Sequence, residues 1–497
     1  MTSNRFLYAL VFVVGIGTLG AEIAAVRLMA PFFGASTIVW ANTIGVVLVA
    51  LSIGYWLGGR LGDSHPSVQS LCKVIIAAAV LLAVVPLVAQ PFFDVSVDAL
   101  DDIEAGAFVG SLVGVLFLIA IPILMLGTCS PWAIRLAVPD VEHAGRVAGR
   151  LYAISTVGSL LGTLVSALVL IPLIGTQRTF LVFAAVIAIV AAVGLGWRFA
   201  AVPVALAAAI ALPVGTVKAT SDGEVIYETE TENQYVRVVE EDDGDRLLEL
   251  NEGQAVHSMY RPGSYLTGNV WDGYLVLPFV GLTEPPERIA ILGNAAGTTA
   301  RAYGHYFPET RVDGVEIDPE LEEVGRRFFD MGSAENLTVH NEDARPWLRR
   351  SAGGYDVIMV DAYRQPYIPF YLATREFFEL VRDRLAPGGV VIVNAGHPEG
   401  NDDLETVLGS TMASAFPTVL RDPIEDTNTL LVASEAPISG QNLLEELKDL
   451  PPDLQRVGAI EGGRVGPRLP GDEVYTDDRA PVEWLIDRSI LGYASDE

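Results

Sequence analysis

Two hydrophobic patterns divide this chain. Up to residue 217 apolar residues run almost unbroken; beyond it they come in short bursts separated by charged turns. Runs long enough to cross a bilayer, which takes about 20 residues, fall near 6–28, 37–59, 71–92, 107–127, 151–174 and 179–197. A seventh run, near 199–217, is rich in alanine and interrupted by Pro203 and Pro213. The first run lacks a basic stretch before it and continues past Glu22 and Arg27, so it reads as a retained helix rather than a cleaved leader.

From residue 225 the period changes to two. Segments 235–239 and 247–250, joined by the acidic run 240–245, predict a hairpin with a solvated turn. Strands over 289–292, 312–316, 337–340, 356–361 and 389–394 then alternate with helices over 298–306, 319–329, 344–350 and 373–385. That alternation predicts a doubly wound α/β sheet. The expected organisation is a multi-pass helical membrane domain (1–217), a small β-domain (218–285), a Rossmann-like nucleoside-binding domain (286–440) and a C-terminal extension (441–497).

Charge sharpens the division. Residues 1–217 carry nine acidic and nine basic side chains, so the net charge of −29 belongs wholly to the second half. Lysine occurs only at Lys73, Lys218 and Lys448. An acidic, lysine-poor surface suits a salt-rich cytoplasm, where carboxylates hold water and salt screens their repulsion, and predicts a halophilic source. The same field repels phosphate backbones, which argues against nucleic acid as a partner. Loop charges orient the membrane half: 60–73 and 128–150 carry Arg60, Lys73, Arg135, Arg146 and Arg150, whereas 93–106 has five acids and no base. The basic loops face the cytoplasm, and so does the N-terminus. Six crossings return the second half to the cytoplasm and seven place it outside; the expectation is a cytoplasmic domain, with the seventh run re-entrant or interfacial. Glu22 and Arg27 are ionisable groups on an apolar helix, either functional or paired to fix packing. Cys72 and Cys129 lie in or beside apolar runs without ligand-spaced neighbours, so neither a disulfide nor a zinc site is indicated.

Ligands of doubly wound sheets bind outside the carboxyl ends of the strands. There stand the turn 293–297 with Gly293 and Gly297, then Glu316 and Asp318, then Asp343, then Asp361. Glycines let backbone approach a ligand; carboxylates accept hydrogen bonds from ribose hydroxyls, an adenine amine or an ammonium. The turn is no strict G-x-G-x-x-G and no Walker lysine follows, so adenosine without phosphates fits best. Taken singly, Asp318 before Pro319 also reads as a helix cap.

In frame, the second half resembles the spermidine synthase (polyamine aminopropyltransferase) family. ETENQYVRV (230–238) matches its E-S-x-Y-Q-x-I-x-V strand and places the nucleoside-contacting glutamine at Gln234. LNEGQ (250–254) resembles L-D-G-x-x-Q, GNAAGTTAR (293–301) falls on GGGDGGxxR, and VEID (315–318) is intact. Asp343-Ala344 corresponds to G-D-A, DAYRQP (361–366) to the catalytic D-S-S-D-P, and LATREFF (372–378) to the acceptor-side helix. The first half resembles the membrane domain of the fused form of that family, distantly similar to half of a permease. The segments 22–36, 58–63, 126–135, 149–162 and the tail TDDRAPVE (476–483) carry that likeness.

The resemblance implies a methyltransferase-type fold, Asp361 as general base, and a nucleoside sulfonium cosubstrate with no permanently bound cofactor. Gln234, Gly293, Gly297, Glu316, Asp318, Asp343 and Ala344 would hold the nucleoside. The substrate side departs from the family. The aspartate of GGGDG, which holds the donor amine, is Ala296; Y-H-E falls on 265–267, with Leu266 for the histidine; the second aspartate of D-S-S-D-P is Arg364. An arginine there repels a polyamine by roughly 1–4 kcal/mol at contact distance. Three readings follow. The first is a membrane-bound aminopropyltransferase using decarboxylated S-adenosylmethionine, a putrescine-like amine as acceptor, releasing methylthioadenosine. The second is a transferase using S-adenosylmethionine itself on a non-polyamine acceptor. The third is a nucleoside-sensing domain on a permease-like protein. A small-molecule amine and the sulfonium donor are the expected partners in a multi-pass cell-membrane protein, and a homo-oligomer is compatible with all three.

Overall fold

Small residues set how the N-terminal helices meet. Helix Asn4–Phe33 packs along helix Ala144–Val165. A Cβ on Gly158 or Gly162 would strike the carbonyls of Phe12 or Ile16, and one on Gly15 would lie 2.6 Å from the Ser155 carbonyl. Gly54 and Gly58 meet Leu124 and Thr128 in the same way. Lipid offers little hydrophobic gain for helix association, so close backbone approach is what holds such helices together.

The computed structural model describes residues 4–33, 37–101, 106–138, 140–211, 223–231, 233–251, 256–363, 368–397, 399–483 and 485. It divides into two units, Met1–Ala219 with Thr229–Tyr235, and Thr220–Glu228 with Val236–Glu497.

In the first unit six helices are long and apolar enough to cross a membrane: Asn4–Ala30, Val39–Ser64, Val68–Ala89, Val109–Ala137, Ala144–Ile174 and Thr176–Leu195. The six main apolar runs thus become six helices. The seventh yields only helix Ala201–Ile210, whose 10 residues span about 15 Å, half of a bilayer's hydrocarbon core. Residues 212–217 of that run lie outside the described residues. The outer helix faces carry Leu87, Phe117, Leu173 and Val193, an exterior that suits lipid rather than water. Glu22 is buried within this unit and Arg27 half-buried. Cys72 and Cys129 are both buried free thiols.

After the helices comes an antiparallel sheet of β1 (Glu224–Glu230), β2 (Tyr235–Glu240), β3 (Arg246–Leu250) and β4 (Val256–Tyr260), in that order. The hairpin expected from the sequence is the pair β2–β3. Its alternation is not simple, however: only Glu240 of β2 escapes full burial. Arg237 tolerates this because Glu249, its cross-strand partner, neutralises it. Val236 and Val238 turn the other way, onto Leu321, Val324 and Phe329.

The main sheet contains β5 (Arg288–Leu292), β6 (Arg311–Glu316), β7 (Leu337–Asn341), β8 (Tyr355–Val360), β9 (Leu385–Gly396), β10 (Thr418–Glu425) and β11 (Asn428–Ser434). Their order is β10-β11-β9-β8-β5-β6-β7, and a short strand Gly466–Pro467 flanks β10. The five strands β5 to β9 are parallel; β11 runs antiparallel to β9, and β10, antiparallel to β11, returns to the common direction. The sheet is therefore mixed, in the Rossmann-like arrangement of methyltransferases, and extends beyond the last strand expected from the sequence. Both of its faces are covered. Ala290, Leu292, Ile358 and Val360 pack into one core, and Ile289, Ile291, Val357 and Met359 into the other. That is why these strands read as continuous apolar runs.

Candidate active site

The chain runs outward from β5 in both directions, through β6 to β7 and through β8 to β9. Between β5 and β8 the winding reverses, the place where doubly wound sheets bind their ligands at the carboxyl edge. Parallel pairing brings the ends of β8, β5, β6 and β7 into one row. The four sequence-predicted positions after these strands therefore share an edge.

Glycine geometry shapes that edge. Gly293 has φ +94°, and a Cβ on it would strike the Asp361 carbonyl, so no other residue fits without displacing β8. Gly297, at φ +86°, opens helix Thr298–Tyr306. Between them Ala295 sits at φ +43°, a left-handed conformation that costs a non-glycine residue about 1–2 kcal/mol. Its N–H is directed at Glu316: Ala295 N donates to Oε2 at 2.9 Å, and Asp318 N to Oε1 at 3.1 Å. Burial pushes the Glu316 carboxyl up to about 7, against the lowering effect of these backbone donors.

Asp318 caps helix Pro319–Phe328 through Glu320 N at 3.2 Å. It is almost wholly buried. Asp343 caps helix Ala344–Arg350: Oδ1 accepts from Arg345 N at 3.0 Å and Oδ2 from the Tyr371 hydroxyl at 2.7 Å. The Ala344 side chain, partly buried, packs against the core on that face.

Asp361 follows β8, with its N–H on the Leu292 carbonyl at 2.8 Å. Asn394 of β9 donates to its Oδ1 at 2.9 Å. The carboxyl keeps some solvent contact while protein packs densely around it, and burial pushes it up to about 6, opposed by Asn394 and by the nearby Tyr274 hydroxyl. Tyr274 OH does not reach good hydrogen-bond geometry with any partner among the described residues, so its interaction with Asp361 is chiefly one of proximity. Tyr363 braces the same corner by donating to the Asn394 carbonyl at 2.8 Å and accepting from Gly396 N at 2.6 Å.

The remaining expected positions lie as follows. Gln234 is buried in the turn before β2, its N–H on Thr231 Oγ1 at 3.0 Å. Ala296 is wholly buried among Val236, Val238, Leu321 and Phe329, and its N–H donates to Ser258 Oγ at 3.0 Å. Leu266 is a half-buried loop residue whose carbonyl accepts from Ser264 Oγ at 2.7 Å. Beside it Tyr265 stacks on His305 at 3.9 Å and carries the Arg301 guanidinium over its face, so the arginine of the glycine-turn motif is a packing group. Arg364 and Gln254 lie outside the described residues.

Sequence reasoning missed Asn394, Tyr274, Tyr363 and Tyr371. Only Asn394 left a signal, as the single polar side chain in the apolar run 390–395. Among the described residues two clusters elsewhere come close enough to share a cation, His397 with Asp402 and Glu405, and Glu241 with Asp243 and Asp245. In each, an arginine already neutralises the buried carboxylate, Arg421 on Glu405 and Arg261 on Asp245.

Residues 275–423, which contain every strand of this edge, match the family described as the spermine/spermidine synthase domain. The chain carries a domain of this family. The chain is 33% identical over 293 residues to a probable polyamine aminopropyl transferase of Bifidobacterium longum, a match covering 54% of this chain and 64% of that protein. A polyamine aminopropyltransferase of Vibrio vulnificus is 29% identical, with 35% of this chain and 62% of that protein covered. The chain thus spans less than two thirds of these relatives' own length. One from Corynebacterium efficiens is 28% identical over 431 residues, 79% of this chain and 78% of its own. That match is longer than the part of the chain after residue 217, so the similarity extends into the apolar N-terminal helices.

Proposed function

We propose that this chain is a membrane-bound transferase of the aminopropyltransferase type. It moves an aminopropyl group from decarboxylated S-adenosylmethionine to a putrescine-like amine and releases methylthioadenosine. The observation that carries the reading is Asp361: a carboxylate with a pKa raised to about 6, at the winding reversal, beside the glycine turn that admits a nucleoside.

The chemistry is direct displacement. The acceptor nitrogen forms a bond to the carbon beside the sulfonium, the C–S bond breaks, and its electron pair returns sulfur to a neutral thioether. Asp361 takes the proton that the nitrogen must lose, and a base with a pKa near 6 is largely ionised at neutral pH. Glu316 accepts from the ribose hydroxyls. Holding donor and acceptor in line supplies most of the acceleration. The synthase domain is read as facing the cytoplasm, where both small molecules reside.

Ala296 favours a second reading. Its side chain packs wholly within an apolar cluster and supplies no carboxylate for a donor amine, which suits S-adenosylmethionine itself and a non-polyamine acceptor. Calorimetry on the full chain in detergent, with decarboxylated S-adenosylmethionine, S-adenosylmethionine and methylthioadenosine, separates the two. Selective binding of the decarboxylated donor and formation of methylthioadenosine with putrescine support the first. Binding of neither donor removes both.

A further inference from the structure

The tail motif around Asp477 lies far in sequence from the strand ends, yet it is fastened to one of them. Tyr475 is buried, donating to Thr411 Oγ1 at 3.0 Å and accepting from Arg375 N at 2.9 Å. Two residues on, the Asp477 carboxylate receives Arg345 in a fork: Nη1 reaches Oδ1 and Nη2 reaches Oδ2, each at 2.7 Å. Thr374 Oγ1 donates to Oδ1 at 2.7 Å, and Asp477 N donates to Glu376 at 3.0 Å.

Arg345 carries this fixation inward. It is the second residue of the helix capped by Asp343, and its N–H is one of the two donors to that carboxylate. Its guanidinium also holds the Tyr371 carbonyl at 2.9 Å. The Tyr371 hydroxyl is the other donor to Asp343, at 2.7 Å. The contacts close a ring: Asp477 orients Arg345, Arg345 orients the main chain of Tyr371, and Tyr371 with Arg345 sets the plane of the Asp343 carboxylate. A two-point arginine–carboxylate pair fixes direction as well as distance, which a lysine or a single hydrogen bond would not do.

We propose that Asp477 is a positioning residue for the nucleoside subsite, acting through Arg345 and Tyr371 to aim Asp343 at the base of the nucleoside. The inference rests on the nucleoside-site reading above. Asp361 hydrogen-bonds to none of the groups in this ring, so the ring bears on binding of the donor and leaves the proton transfer alone.

The test uses the full chain in detergent, with methylthioadenosine as the binding probe and donor kinetics as the second readout. Asp477→Asn should weaken methylthioadenosine binding and raise the donor KM by roughly tenfold, the scale of one charge-assisted hydrogen bond. At saturating donor, kcat should stay within about twofold of wild type, the pattern of lost ground-state binding. Asp477→Glu should recover part of the affinity. Tyr371→Phe should produce a similar loss, and the double variant should lose less than the sum because both act on Asp343. A wild-type chain that binds methylthioadenosine while Asp477→Asn binds it equally well overturns the inference alone. So does a fall in kcat with KM unchanged, or strict additivity in the double variant. A wild-type chain that binds no methylthioadenosine overturns the nucleoside reading, and this inference with it.

Discussion

Asn394 donates a hydrogen bond to Asp361 Oδ1 at 2.9 Å, from the strand adjacent to the one that Asp361 ends. The donor favours the ionised carboxylate, whereas burial favours the neutral acid, and burial prevails to leave the group at about 6. Activity should therefore rise with pH through about 6 and level off as Asp361 ionises. Asn394→Ala removes the lowering influence and should move this limb to higher pH, as read from a kcat/KM profile. Asp361→Asn should cut kcat by roughly 100-fold or more, the range of a lost general base. Methylthioadenosine affinity should be little changed in that variant.

The same group makes a stability prediction of known sign. The native pKa lies above the unfolded value, so the native state holds the extra proton between the two. Stability contributed by this group falls as pH rises from about 4 to about 6. Asp361→Asn should then be more stable than wild type at pH 7, by on the order of 2 kcal/mol, and unfold at a higher temperature. A lower Tm in thermal unfolding would contradict the assignment.

Glu316 should govern nucleoside affinity. Its carboxyl, pushed up to about 7 by burial, accepts ribose hydroxyls best when ionised. Methylthioadenosine binding should weaken as pH falls below about 7, and Glu316→Gln should bind about tenfold more weakly, the scale of a hydrogen bond to a charged group. Calorimetry across pH 5.5–8.5, roughly the span on either side of that value, should show the pH dependence lost in the variant.

Gly293→Ala should abolish nucleoside binding. The added methyl would meet the Asp361 carbonyl and, at 2.7 Å, Ala362 Cα, in a backbone conformation of φ +94°. The β5 and β8 ends must then part, which misplaces the glycine turn and Asp361 together. An unaltered calorimetric titration would refute this account of the turn.

Asp313 tests the sheet rather than the site. Burial raises its pKa, but hydrogen bonds from His340 and Arg288 outweigh that and hold it below the ordinary value. A depressed carboxylate stabilises the fold above its unfolded pKa, and that stability is lost as pH falls through the native value. Asp313→Asn leaves the half-buried Arg288 without its ion partner and should cost about 1 kcal/mol at pH 7, read as a drop in Tm.

On the proposed topology, six crossings would return the C-terminal domain to the side of the N-terminus, and the arginine-bearing loops would make that side cytoplasmic. Protease added outside intact, right-side-out vesicles should leave the synthase domain whole. Its cleavage there would reverse the orientation.

The sequence by itself determined the six long helices, the parallel strands and the acids that follow them, because hydrophobic period and strand-end chemistry are local properties read within a short window. It also marked Asp318 as a helix cap, since Pro319 fixes the start of the helix. What it left unread depends on chain topology. Asn394 reaches Asp361 across 33 residues, Tyr371 reaches Asp343 across 28, and Asp477 reaches Arg345 across 132. The hairpin β10–β11 and the burial of β2 up to Val239 belong to the same class, because each follows from what covers a strand rather than from its own residues. Periodicity thus placed the carboxylates along one edge. Only the packed sheet decided which donors hold them and that Glu316 and Asp361 are driven above the ordinary carboxylate range, because burial and long-range hydrogen bonds exist only once the layers have met.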